Sequence, residues 1–266
     1  MHRPRPAPPP PARPVARMPA MLALATALLG GSALVQAQDD GGVRLDAPPL
    51  CDSEARPAPR QLLDRFINAD CAACWRDEAT PDAAANTLAL DWVLPGSLGD
   101  EAPLAAVARR DALERLDSLR LPPPPQGAID RSRVRPPRGA GAQPLRVAHG
   151  QALNGYVGAS LTWQPPKGMA RTGPLTAWLA LVEELPRGTE DSPVARRLVR
   201  NLVVAPIDPH RRELAGADIW RVLNVPEGAQ PTRLEVAGWV TDARGRVVAA
   251  AASRCPSPSS GAAGAR

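Results

Sequence analysis

The sequence predicts an α+β chain, in which a small mixed β/α unit is followed by an antiparallel β-sandwich-like domain. Three observations carry that expectation. An extended run, Gln61 to Ala69, ends in the pair Cys71-x-x-Cys74, where a helix can start. A second stretch, Glu101 to about Arg120, repeats its leucines at helical spacing. From Pro144 onward the apolar period changes to two, and turn residues separate the runs.

The first 37 residues read as an address. A basic, proline-rich start carrying Arg3, Arg5, Arg13 and Arg17 leads into an apolar stretch that ends in the cleavage pattern Val35-x-Ala37. The apolar stretch is short and interrupted by Gly30-Gly31, which favours a cleaved signal peptide over a spanning anchor. The mature protein is therefore expected to be periplasmic or secreted, with no stable membrane anchor. Loss of those four arginines leaves 28 basic residues against 27 acidic ones. A balance so close gives no field to hold nucleic acid, and one Tyr and one Phe offer little for bases to stack on.

Residues 38–60, rich in Gly, Asp and Pro, read as a lead-in. Within the first unit, residues 61–143, Gln61 to Ala69 is expected as a strand. Asp64, Arg65 and Asn68 suit it poorly to burial on both faces. A helix is expected from Cys71 to about Thr80, where Pro81 interrupts it. Thr87 to Leu94 alternates, with Leu88, Leu90, Trp92 and Leu94 on one face, and Pro95-Gly96 ends it. Asp100 can cap the next helix, Glu101 to Arg120, in which Leu104, Val107, Leu113, Leu116 and Leu119 fall near one face. Pro122 stops that helix, and residues 122–143 read as a linker.

Residues 144–255 hold the extended runs Pro144 to Ala148, Gly155 to Gln164, Pro174 to Leu185 and Leu198 to Ala205. A hairpin follows, Leu234 to Thr241 with Arg246 to Ala252, and Gly245 suits the left-handed position of its turn. Several short strands with turn chemistry between them argue for a sandwich, whose core takes Trp163, Trp178 and Trp239. Residues 256–266 read as a disordered tail.

All four cysteines lie beyond the export signal and would meet an oxidising compartment. Three pairings are open; the economical one joins Cys71 to Cys74 and leaves Cys51 with Cys255. The second bridge would close a loop of roughly 200 residues, which chain entropy credits with about 5 kcal/mol as an upper estimate.

The Cys71–Cys74 pair has two readings. At a helix start, Cys71 can be held as the attacking thiolate while Cys74 resolves a mixed disulfide, so both would be catalytic. Asp70 works against this by raising the thiol pKa. The same spacing serves a structural disulfide equally well, and then the chain is a non-enzymatic interaction protein. A metal is not expected, because His149 and His210 are the only histidines after the signal and neither has ligand-spaced company. The other catalytic templates are absent. Asp91, Asp130, Glu183 and Glu184 read as exposed strand-end carboxylates, and Arg196, Arg197 and Arg200 as a solvated edge.

Several segments resemble an uncharacterised family of secreted bacterial thioredoxin-like proteins. They are the Cys71-x-x-Cys74 pair, Leu88-Ala89-Leu90-Asp91-Trp92, Pro144 to Gly150, Gly173 to Ala180, Arg187 to Ser192, and Leu198 to Val204. The resemblance implies a divergent thioredoxin-like unit ahead of the β-rich part. It also implies Pro144 as the cis-proline wall that faces the redox pair and touches substrate. Thiol–disulfide exchange with exported protein thiols or a redox partner protein would then need no cofactor beyond the dithiol itself. The chain departs from the family's G-C-x-x-C-P-P at Asp70 and Trp75.

Overall fold

The computed structural model describes residues 51–54, 57–137, 144–165, 173–207 and 217–255, all within one compact unit, Leu45–Arg266. The expected signal peptide, the tail and His210 lie outside the described residues. Strands β1 (Cys51–Asp52), β5 (Arg146–His149), β6 (Tyr156–Trp163) and β9 (Ala217–Asn224) form a four-stranded antiparallel sheet, ordered β1-β5-β6-β9. A seven-stranded sheet, ordered β11-β10-β7-β8-β3-β2-β4, takes β2 (Gln61–Asn68), β3 (Thr87–Leu94), β4 (Gly127–Arg133), β7 (Leu175–Leu185), β8 (Arg196–Ile207), β10 (Leu234–Asp242) and β11 (Val247–Ala252). Two α-helices occur among the described residues, α1 (Ala72–Trp75) and α2 (Asp111–Leu119).

The fold expectation is corrected here: the described residues are mostly β, and among them no thioredoxin-like α/β unit stands before the β-rich part. Strands from both sides of residue 140 share the seven-stranded sheet. Its parallel pairing is confined to β2–β3 and a single Asp91–Leu198 register pair between β3 and β8. The two helices are too short to act as the crossover layers of a doubly covered sheet.

Backbone contacts explain why the helices shrank. After Trp75 the helix cannot continue, because Arg196 Nη2 donates to the Trp75 carbonyl at 2.7 Å and the amide of Ala79 is bonded to Asp77 Oδ1. The predicted helix from Glu101 breaks into short 3₁₀ turns, Gly99–Glu101 and Ala105–Val107, before α2. Leu104 N–H donates to the Ala69 carbonyl and Arg109 N–H to that of Val93, so the backbone is tied to the strand ends instead of to itself.

The predicted linker holds β4, which pairs antiparallel with β2 from Gln61–Arg133 to Ile67–Gly127. The β10–β11 hairpin forms as expected, with Gly245 at φ 75°.

The two sheets share one core. Val147, Val157, Leu161 and Ile219 of the smaller sheet meet Leu179, Leu181, Val236 and Val240 of the larger. The backbones come close at Gly238, where a Cβ would stand 2.5 Å from Val147 Cγ1. The opposite face of the large sheet carries Phe66, Trp92, Trp178 and Trp239 beneath Ala112 and Leu116 of α2. Trp178 and Trp239 stack at 5.7 Å, and Trp92 meets Trp239 edge-on.

Burial of β2 on both faces, against expectation, rests on charge pairing. Asp64 points to the α2 face, where it accepts from Arg115 Nη2 at 2.7 Å and from the Trp92 indole at 2.8 Å. The Arg115 guanidinium also lies over the rings of Trp178 and Trp239. Arg65 points the other way and meets Asp91 at 2.5 Å, its register partner on β3. Asp91 also accepts from Arg196 at 3.0 Å and from the amide of Arg197 at 2.7 Å.

Candidate functional site

The Cys71–Cys74 segment hangs from the C-terminal ends of β2 and β3. Asn68 turns the chain, its Oδ1 taking the Asp70 amide and its carbonyl taking the Cys71 amide. Cys71 caps α1, its Sγ accepting from Cys74 N–H at 3.2 Å, and the two cysteines form a disulfide. Trp75, next in line, is buried. Its indole donates to the Glu190 carbonyl, and the Arg196 guanidinium sits 4.5 Å from its ring centroid. Both sulfur-bearing residues are half-buried, and Cys74 borders an open cleft of about 420 Å³ with Arg65, Asp77, Gln126, Ile129 and Arg196.

Asp70 does other work than the sequence suggested. Its carboxylate accepts from the Ser97 hydroxyl at 2.8 Å and from the amides of Ser97 and Leu98. The Ser97 hydroxyl, foremost among these, holds it below the usual carboxylate range. Gly96 makes room for it, since a Cβ there would stand 1.9 Å from Asp70 Oδ1. Asp70 therefore braces the turn after β3.

Pro144 is not brought to the Cys71–Cys74 pair. It lines a separate cavity of about 620 Å³ with Glu54, Asn86, Thr87, Arg146 and Arg254. Asn86 and Thr87 stand at the N-terminal end of β3, whereas Cys71 follows the C-terminal end of its parallel neighbour β2. An eight-residue strand separates the two ends, roughly 25 Å of extended chain. α1, a single turn, also lacks the aligned peptides whose dipoles would hold a thiolate.

The second bridge joins Cys51 to Cys255 across 204 residues, fastening the two ends of the described chain together. Cys255→Ser is expected to cost roughly 2–4 kcal/mol, read as a lower denaturant midpoint under oxidising conditions.

His149 is the direct cross-strand partner of Cys51. It is buried, and its Nδ1 lies 2.8 Å from the Gly150 carbonyl, while Nε2 has no hydrogen-bond partner among the described residues. Burial pushes its pKa below the ordinary 6.5. The folded state then binds fewer protons than the unfolded state below that value, so stability falls as pH drops through and under 6.5. Unfolding midpoints measured from about pH 7.5 to pH 5 should decline more steeply in the wild type than in His149→Gln.

The carboxylates expected at the surface divide. Asp91 and Glu183 are fully buried, Glu183 meeting Arg200 at 2.5 Å and the Gln230 amide at 2.9 Å. Arg196 and Arg200 are buried with them and form no solvated edge. Glu184 is half-exposed and pairs with Arg197, and Asp130 takes a hydrogen bond from Ser132 on edge strand β4. None of these groups converges with another on a cleft as an acid/base pair.

The outer face of the small sheet holds a feature the sequence reading missed. Trp220 and Val222 of β9 are 63% and 53% exposed, and Tyr156 of β6 and the preceding Leu153 are 51% and 73% exposed. Trp220 lies over Gly158 on the neighbouring strand, where even a Cβ would meet the indole at an ordinary contact distance of 3.6 Å. Among the described residues β9 forms a strand ladder only with β6; outside that ladder the Asn224 carbonyl accepts from Asn201 Nδ2 at 3.1 Å and the Trp220 carbonyl from Arg221 Nη1 at 2.8 Å. The alternation of Ala217, Ile219 and Leu223 could have revealed this strand.

No family model matches the chain, and no curated protein matches it. Among solved structures it is similar to HBP35 of Porphyromonas gingivalis, at 10% identity, covering 74% of this chain and 75% of that one with a TM-score of 0.42. The fold described above therefore rests on its own strands and contacts.

Proposed function

We propose that this chain is a non-enzymatic binding protein of the periplasm or extracellular space, one that takes an extended segment of another exported protein along the edge of β9. The exposed Trp220 beside that edge carries the reading. An unpaired strand edge offers a row of N–H and C=O groups that only another extended backbone satisfies in full. Trp220 and Val222 would cover alternate apolar side chains of the incoming strand, and exposed aromatic clusters of this kind mark interaction sites. Two disulfides suit an oxidising compartment, which supports the export reading.

Peptides selected from an extended-segment library on the folded protein should share apolar residues at alternate positions. Their affinity should fall about 30-fold or more in Trp220→Lys, as expected for loss of a central aromatic anchor. Selected peptides that bind Trp220→Lys as well as the wild type would refute the assignment.

A second reading, thiol–disulfide exchange at Cys71 and Cys74, is favoured by one observation: both residues are half-exposed and Cys74 borders the open cleft. A reduction potential below about −300 mV would mark the bridge as structural. A higher potential, with disulfide reductase turnover abolished in Cys71→Ser, would instead establish exchange with exported thiols or a redox partner.

A further inference from the structure

The backbone brings three metal-binding side chains together at one end of the small sheet. Cys51 and His149 face each other across the β1–β5 register, and the Asp52–Arg254 bridge lays Cys255 beside them. A ring nitrogen of His149 and both cysteine sulfurs lie within 4.8 Å of one another. His149 is only 4% exposed. With Nδ1 against the Gly150 carbonyl, the proton belongs on Nδ1, and Nε2 keeps a lone pair that nothing among the described residues uses. A histidine that binds metal commonly has this arrangement, with one nitrogen fixed by a carbonyl and the other free to coordinate.

We propose that reduction of the Cys51–Cys255 disulfide opens a zinc site formed by the two thiolates and His149 Nε2. Two sulfurs and one imidazole suit zinc, with the fourth position left to water. Cys255 is exposed whereas Cys51 is buried, so reduction begins at Cys255. A thiolate of an external dithiol attacks Cys255 Sγ and expels Cys51 as a thiolate, which takes up a proton. The reductant's second thiol then displaces Cys255 and closes its own disulfide. The protein bridge gains two electrons and two protons, and the dithiol loses the same. Zinc binding afterwards releases both thiol protons. The oxidised chain is bridged at this point and the reduced chain is metal-bridged, so the ends of the fold stay joined in either state.

The test uses the full chain carrying Cys71→Ser and Cys74→Ser, which removes the competing dithiol. After reduction with a phosphine, one equivalent of cobalt(II) should give a thiolate charge-transfer band with the visible bands of a tetrahedral site. Zinc should displace it. His149→Gln should weaken binding by at least about 10-fold, the low end of what loss of even an outer-shell partner costs. X-ray absorption on the zinc form should count two sulfurs and an imidazole nitrogen, a readout that stands even where His149→Gln does not fold. The proposal is overturned by absence of the band, by unchanged affinity in a folded His149→Gln, by a shell without imidazole, or by an equal band in the oxidised protein.

Discussion

Asp91→Ala is expected to destabilise the protein by about 3–5 kcal/mol, the range for removing one partner of a buried ion pair. Among the described residues Asp91 is the carboxylate that forms the ion pairs of both Arg65 and Arg196, all three being buried. Without it the two guanidiniums face each other across the β2–β3–β8 junction with their shared counter-charge gone, and only the charge of Asp77, which also acts on Arg196, is left to offset them in part. The hydrogen bonds left to each are to neutral groups: the Pro81 and Ala195 carbonyls for Arg65, and Ser192 and the Trp75 carbonyl for Arg196. The loss should spread to the Cys71–Cys74 segment, because Arg196 anchors Trp75 through both its ring and its carbonyl. Chemical denaturation gives the magnitude, and protease susceptibility near Trp75 should rise with it. Asp91→Asn, which keeps the shape and loses the charge, should fall between the wild type and alanine.

The second large effect lies on the opposite face of β2. Asp64→Leu alone should cost about 3–5 kcal/mol, because it leaves Arg115 charged and 1% exposed with no carboxylate, over Trp178 and Trp239. Combining it with Arg115→Met should recover most of that loss, since an apolar pair of similar volume can replace a buried ion pair at little cost. The coupling energy from the double-mutant cycle should then be strongly non-additive, by about 2–3 kcal/mol. Recovery should be partial because Asp64 also takes the Trp92 indole proton, which neither substitution replaces. Additive losses in the cycle would mean that the two side chains act independently.

These two clusters also show where the sequence stops being legible. β2 was readable as an extended run ahead of the cysteine pair, β3 from alternation, and the β10–β11 hairpin from its alternation and turn. Asp91 looked like an exposed carboxylate, and Asp64 argued against burying β2 on both faces, because their partners are remote in sequence: Arg115 lies 51 residues from Asp64, and Arg65 lies 26 from Asp91. Burial of a charge depends on finding its counter-charge, and spacing along the chain does not reveal one so far away. The long helix from Glu101 failed for a similar reason, since the carbonyls of Ala69 and Val93 capture its backbone amides. β4 stayed hidden because an edge strand needs no apolar stripe, and Gly-Ala-Ile-Asp-Arg-Ser-Arg has none.

The candidate sites divide in the same way. The Cys71–Cys74 and Cys51–Cys255 bridges followed from counting cysteines, but the frame expected around the first did not form. Pro144 was assigned through resemblance and stands at the far end of the strands. His149 beside Cys51 could not be read from spacing, because β1 and β5 are about a hundred residues apart and meet only through register. Trp220 carried no motif; its meaning comes from exposure on an edge strand.

Hydrogen exchange on the folded protein, with and without a selected extended peptide, tests the binding reading most directly. Strand addition predicts slowed exchange in Ala217–Asn224, where β9 amides without a partner would gain one, and no comparable change at the ends of β2 and β3 near Cys71. Slowing confined to the Cys71–Cys74 segment, with β9 unaltered, would contradict the account and move the functional site to the disulfide.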